Sequence, residues 1–359
     1  MRKLKLLIAV LFSTSCFGLT SNLEVNGLSD VVWGMEFISE TQMLTTLRSG
    51  EVVFINLKTG KKAKVSGGPT VSEGGQGGLL DLALHPNFAN NNLVYFSYTY
   101  SPDGDKKTTA LARATFDRKS KSFSNLQELF RAEPYYKKQI HFGSRIVFDK
   151  TGHLFLSVGD RGNRDYAQDL SRHNGKLLRL SETGEPAKGN PFENREGARK
   201  EIWSYGHRNP QGLVYDKVTD NIWMHEHGPR GGDEINLIQK GANYGWPIIT
   251  YGREYYGPKI GEGITEKEGM LQPKKYYVPS IAPSGMALYR GPISSMQNSL
   301  FIGALALTHL NQVSLSKTKI EREQRHFADL AERVRDVKLS PTGKLYFSTD
   351  SGRIYSVSE

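Results

Sequence analysis

Along most of this chain, apolar and polar residues alternate in short runs that break at a polar turn and then resume. Alternation with period two puts every second side chain on one face, the mark of a half-buried strand. One hairpin of this kind recurs. It reads VKLSPTGKLYFSTDSGRIYSV over 337–357, IVFDKTGHLFLSVGD over 146–160 and LVYDKVTDNIWMHEHG over 213–228. Looser copies are LALHPNFANNNLVYFSYT over 82–99, MEFISETQMLTTLRSGEVVFI over 35–55, and SGMALYRG from Ser284, completed by SLFIGAL from Ser299. A multi-strand unit repeated every roughly 50 to 70 residues is the signature of propeller blades. The six copies predict an all-β, six-bladed β-propeller with four-stranded antiparallel blades, spanning 24–359 as one domain. A β-sandwich array leaves the recurring D/P-x-T-G-x-L turn unexplained. Two longer gaps, 181–200 and 251–277, are expected as excursions on one face, where propellers build sites around the central channel.

The 37 glycines and the even spread of Val, Ile, Tyr and Phe fit a loop-rich β protein. The N-terminus departs from the repeat. Arg2, Lys3 and Lys5 precede an apolar run, Leu6–Phe12, and small or polar residues follow to Gly18. That run is too short to span a bilayer, so residues 1–18 read as a secretory signal peptide and the mature protein as periplasmic. The one cysteine, Cys16, lies in this leader. Its context, Ser13-Thr14-Ser15, lacks the aliphatic residue that a lipobox carries three places before the cysteine. A lipid anchor there is the less favoured alternative. A mature chain without cysteine has neither intramolecular disulfides nor thiolate metal sites. The formal charge of +10 falls partly in the leader and partly in pairs such as Lys106-Lys107, Lys137-Lys138 and Lys274-Lys275, expected on solvated loops. With no zinc finger and no RNA-binding aromatic motif, nucleic acid is not an expected partner. No later stretch resembles a membrane span.

Chemistry concentrates in 203–234, which holds Arg208-Asn209, the turn His227-Gly228-Pro229 and the pair Asp233-Glu234. Further on, Arg333 and Arg335 lie two apart on an expected strand. They point to one face and repel unless an anion lies between them; the alternative is two surface arginines paired with Asp336 and Glu332. The His-Gly-Pro turn offers carbonyls to a hard cation such as Ca²⁺. Glu234, with Tyr244 downstream, offers a second cation site; alternatively Asp233-Glu234 is a plain turn pair. His141 leads into a strand, and its near-neutral pKa suits a general base. Asp160 ends the paired strand of the same hairpin and is placed to orient it. His85, His153, His173 and His309 are read as structural. Gln76 lies among glycines that let the backbone crowd a flat ligand, while its amide bonds a quinone or carboxylate oxygen.

In chain order, GGQGGLLDLALHP, HFGSRIVFD, EIWSYGHRNPQG, HGPRGGDEINLI, KGANYGWP, SGMALY and VRDVKLSPTGKLY resemble the soluble PQQ-dependent sugar dehydrogenases, in particular their periplasmic aldose sugar dehydrogenase branch. The resemblance runs from about Glu24 to the C-terminus. It implies a six-bladed propeller that oxidises aldoses at C1 to lactones. Hydride passes to pyrroloquinoline quinone (PQQ), and electrons leave for an external acceptor. It implies His141 as general base. Gln76, Arg208, Asn209, Tyr255, Arg333, Arg335 and the segment Ala304-Leu305-Ala306 would hold PQQ, with Arg208 also stabilising charge on the quinone oxygen. Gly228 and Pro229 would give carbonyls to an activating Ca²⁺, and Glu234 and Tyr244 would bind a structural one. There are two departures. Ala306 stands where the family often has a lysine reaching the cofactor. Ile140 precedes the histidine where glucose dehydrogenases carry an acid near the sugar, which argues against a narrow glucose specificity. Monomer and homodimer both stay open. Two other classes fit a propeller. One is a lactonase-type hydrolase with a channel metal held by carboxylates, against which the arginines argue. The other is a non-catalytic propeller binding glycans or proteins.

Overall fold

The computed structural model describes residues 18–359; Cys16 and the body of the expected leader lie outside them. Six sheets form, each of four antiparallel strands, and they are the blades of a propeller. Every repeat read from the sequence falls on the inner part of one blade. In blade 6, Val334–Leu339 pairs with Leu345–Thr349, and in blade 3, Ile146–Phe148 pairs with Leu154–Val158. The shared T-G of those two turns has a backbone reason: Gly152 and Gly343 both adopt φ of +84°, a left-handed conformation that costs glycine nothing.

Blades 1 to 5 use consecutive strands, over 32–65, 79–131, 146–205, 210–277 and 283–326. Blade 6 does not. Its outer strand is Thr20–Val25, which pairs with Ile354–Ser358 from Thr20↔Ser358 to Val25↔Ile354. The propeller therefore takes in residues ahead of Glu24. Apolar side chains on both faces of each sheet interlock with those of its neighbours. Between blades 1 and 2, for example, Leu44, Phe54, Leu82, Phe96 and Phe116 form one buried cluster. Burying such side chains contributes about 1.5–3 kcal/mol each.

Strand direction decides where the chemistry sits. Loops from an outer strand to the next inner strand, and from a blade's second strand to its third, all emerge on the same face. These loops carry Gln76, His141, Asp160, Arg208, Gly228, Leu305, Arg333 and Asp350. The two long excursions do not share one face. Residues 181–201 join the third and fourth strands of blade 3 at the opposite end, where Glu182 bonds His85. The excursion 239–274 starts at that end too, but runs up beside Ile202–Tyr205, through the Tyr205–Asn243 bridge, and reaches the site face. Among the described residues, no helix is long and apolar enough to cross a membrane.

Candidate active site

Beneath the site, Arg145 fills the channel axis. Its guanidinium donates to Asp81 Oδ1 at 3.2 Å and Asp336 Oδ1 at 2.9 Å, to the carbonyls of Gln211 and Arg335, and stacks on Trp33. This plug separates the pit above from the rest of the channel.

His141 stands at the edge of that pit. Its Nδ1 bonds Asp160 Oδ1 at 2.7 Å, so Nδ1 is the donor and Nε2 keeps the free lone pair. The hairpin that the sequence suggested does bring them together. Asp160 is 1 % exposed and its other oxygen is also engaged: Trp246 Nε1 donates to Oδ2 at 2.8 Å, while the Gly162 amide donates to Oδ1. Burial pushes the His141 pKa below its ordinary 6.5, outweighing the bond to Asp160. Burial alone would raise the Asp160 carboxyl, but the bond to His141 and its charge hold it below the usual range. The imidazole is thus neutral at neutral pH and able to accept a proton, and its imidazolium has a fixed counter-ion.

The backbone around His141 is held from several sides. His141 itself has φ of +54°, and its amide donates to Gln76 Oε1 at 2.8 Å. Arg161, fully buried, lies on the Phe142 ring and donates to the carbonyls of Lys138 and Ile140. The glycines beside Gln76 serve this packing. A Cβ on Gly75 would meet the Gln139 carbonyl at 2.4 Å, and one on Gly77 would meet Phe142 at 2.9 Å. Lys107 is no solvated loop residue either: it is buried, and its Nζ donates to the Glu73 carbonyl at 2.6 Å.

A pit of about 250 Å³ opens beside this centre. Gln76, Asn209, Leu305, Arg333 and Arg335 line it, as the sequence led one to expect, together with Trp33, Arg48 and Asp350, which it did not. Arg333 and Arg335 do lie on one side, but their acid is Asp350, not Asp336 or Glu332. Arg335 Nε donates to Asp350 Oδ1 at 2.7 Å and Arg333 Nε to Oδ2 at 2.8 Å. Burial would raise the Asp350 carboxyl; the two guanidiniums hold it below the usual range. A wider cleft adjoins the pit, sharing His227 and Ala282 with it, and is lined by Gly228, Pro229 and Tyr255. Tyr255 is 68 % exposed, so it belongs to the rim.

The carbonyls behave as cation acceptors. Arg208 donates to Gly228 O at 2.6 Å and to His227 O at 3.2 Å. A guanidinium here occupies the kind of position a metal ion would take. Asp233 and Glu234, adjacent on a strand, face opposite ways and do not act as a pair. Asp233 is buried and accepts from the amides of Gly228, Ile281 and Ala282, which ties the His-Gly-Pro turn to blade 5. Glu234 is directly opposite Glu226 in the strand register. Like charges in that relation repel. Burial, then Glu226, push the Glu234 carboxyl up to about 8. Tyr244 and Trp246 close the small cavity beside them. The Tyr244 hydroxyl is spent on Leu237 and Gln239, which leaves its backbone for any ligand. Sequence reasoning missed Glu226, Trp246, Arg48 and Asp350. Two of these left a signal: Trp246, two places after Tyr244 in a motif already singled out, and Glu226, directly before the His227-Gly228-Pro229 turn.

The Asp160 bonds give one expected result. Trp246→Phe keeps the ring but leaves a buried carboxylate oxygen unpartnered, which costs about 1–3 kcal/mol. The carboxylate then holds the imidazolium more strongly, so the His141 pKa rises. A pH profile of kcat/KM should show the acid limb, below 6.5 in the unaltered protein, moved upward. An unmoved limb would show that Trp246 only packs.

A six-bladed ring with a buried His-Asp pair beside an arginine-lined pit is a β-propeller whose site sets an imidazole next to positive charge. Residues 29–356 match the glucose/sorbosone dehydrogenase family, and the chain belongs to it. It is 42 % identical over 345 residues to aldose sugar dehydrogenase YliI of Escherichia coli (strain K12), covering 94 % of this chain and 93 % of that one. The apo-form crystal structure of the soluble E. coli aldose sugar dehydrogenase superposes with a TM-score of 0.90 at 39 % identity, covering 95 % and 99 % of the two chains. The PQQ-bound form of the Streptomyces coelicolor aldose sugar dehydrogenase gives 0.79 at 28 % identity, covering 95 % and 98 %.

Proposed function

We propose that this protein is a quinoprotein that oxidises aldoses at C1 to lactones in the periplasm, with Ca²⁺ as second cofactor. The observation that carries the reading is the 2.7 Å His141–Asp160 pair beside a pit lined by arginines and amides. The residues fit the group. Arg333 and Arg335 offer guanidiniums to its carboxylates, and Gln76 and Asn209 offer amides. Gly228 O, which already accepts from a guanidinium, and the Pro229 carbonyl suit the hard cation. The opposed Glu226 and Glu234 suit a structural Ca²⁺, whose charge would replace the proton that burial otherwise retains.

His141 Nε2 takes the proton of the anomeric hydroxyl. Asp160 holds the resulting imidazolium, and Trp246 holds Asp160. Arg208 places positive charge where negative charge develops. Bound PQQ supplies the two-electron acceptor for the C1 hydride. The depressed His141 pKa keeps the base in its neutral, competent form across neutral pH, and this competence is lost as the pH falls through that pKa, which lies below the ordinary 6.5. A lactonase-type centre is disfavoured, because Arg145 already engages the buried channel carboxylates Asp81 and Asp336.

The test is dye-linked oxidation of an aldose panel by purified apo-protein, with PQQ, Ca²⁺, both or neither. Activity should require both. No activity and no PQQ binding would sink the reading and bring a binding propeller forward.

A further inference from the structure

We infer that Arg48 is the third guanidinium of the pit and holds one carboxylate of PQQ; this rests on the quinoprotein reading above. Arg48 follows the second strand of blade 1. Its backbone is fixed: the amide donates to Val31 O and the carbonyl accepts from Leu79 N at 2.9 Å. The half-buried side chain lines the same pit as Arg333 and Arg335. Those two share Asp350. Arg48 has no acid at all among the described residues. Its one side-chain bond is a long one, 3.3 Å to the Gly75 carbonyl, and its Nε is buried without a partner.

Near the site, Arg164 pairs with Glu254 and Arg335 with Asp350, while Arg161 and Arg208 spend their guanidiniums on backbone carbonyls. A half-buried guanidinium with a buried, unpartnered Nε and no counter-charge is better satisfied when an anion completes it. The pit around Arg48 is where that anion would lie. Its placement complements the rest. Blade 6, which carries Arg333 and Arg335, touches blade 1 on one side and blade 5 on the other. Blade 5 contributes Leu305 to the wall, and Ala306 brings no polar side chain. Positive charge therefore flanks the arginine pair from blade 1 and is absent from blade 5. Three carboxylates on one rigid ligand then meet three guanidiniums, of which one has no internal competitor.

The experiment is a PQQ titration of apo-protein at fixed Ca²⁺, read from quenching of tryptophan fluorescence, independently of turnover. Arg48→Met should weaken binding on the order of tenfold to a hundredfold, the range of one lost charge-assisted bond. Arg48→Lys, which keeps the charge, should recover part of it. Ala306→Lys in the Arg48→Met background should recover part from the opposite wall. Thermal unfolding of each apo variant checks that the fold is kept. Full-strength binding by folded Arg48→Met overturns this inference alone. No binding by the unaltered protein overturns the quinoprotein reading, and this inference with it.

Discussion

His141→Ala should lower kcat for aldose oxidation by roughly 10²–10⁴-fold, the range over which a positioned general base acts. The substitution removes the imidazole that Asp160 holds, yet the His141 amide still bonds Gln76, so the pit wall keeps its shape. PQQ binding should therefore survive while turnover fails. That split separates a base from a residue that merely holds the cofactor. Steady-state kinetics with a dye acceptor, beside a PQQ titration, measure both. A variant that turns over at near the parental rate would remove His141 from the reaction.

Arg145→Met should be the most destabilising single change outside the hydrophobic clusters, at about 3–5 kcal/mol for breaking a buried ion pair from one side. The cost is large because Arg145 joins so many blades. It binds Asp81 of blade 2, Asp336 of blade 6 and the Gln211 carbonyl of blade 4, while itself leading into blade 3. Asp336 in turn accepts from the Met35 amide of blade 1. Blade 5 makes room: a Cβ on Gly285 would meet Asp336 Oδ1 at 2.3 Å. Without the guanidinium, two carboxylates face each other in the dry channel. Burial already raises the Asp81 carboxyl, against the pull of Arg145, so protonation would soften the loss at low pH. Urea unfolding of Arg145→Met, and of that variant with Asp81→Asn and Asp336→Asn, tests the account. The triple variant should regain much of the loss. A loss below about 1 kcal/mol, the worth of an ordinary exposed pair, would refute it.

The ring of blades was legible because each blade is a local object. Its hairpins alternate with period two and turn on glycines such as Gly152 and Gly343, and both signals lie within a few residues of each other. The His141–Asp160 pair was legible for the same reason, since one hairpin holds both. What escaped depends on closure. Arg145 meets Asp336 across the channel of the closed ring, Arg48 joins Arg333 only when the first and last blades touch, and no local pattern announces such meetings. Trp246 reaches Asp160 by a detour, along an excursion that begins at the far end of the propeller and ends at the near one. The Asp233-Glu234 pair misled in the opposite sense. Neighbours in sequence looked like partners, but the pleat sends them to opposite faces, and the carboxylate that matters to Glu234 lies across the strand at Glu226.

The last blade takes its outer strand from the start of the described chain and its other three from the end, and this has a consequence for synthesis. Thr20–Val25 leaves the ribosome well before its partner Ile354–Ser358. Five blades can assemble from consecutive strands, but the sixth waits until Ile354–Ser358 has been made. Until then the newborn protein is an open arc whose two end blades leave apolar faces uncovered, surfaces that invite contact with other chains. Any factor that shields nascent chains has to serve this protein until that strand arrives.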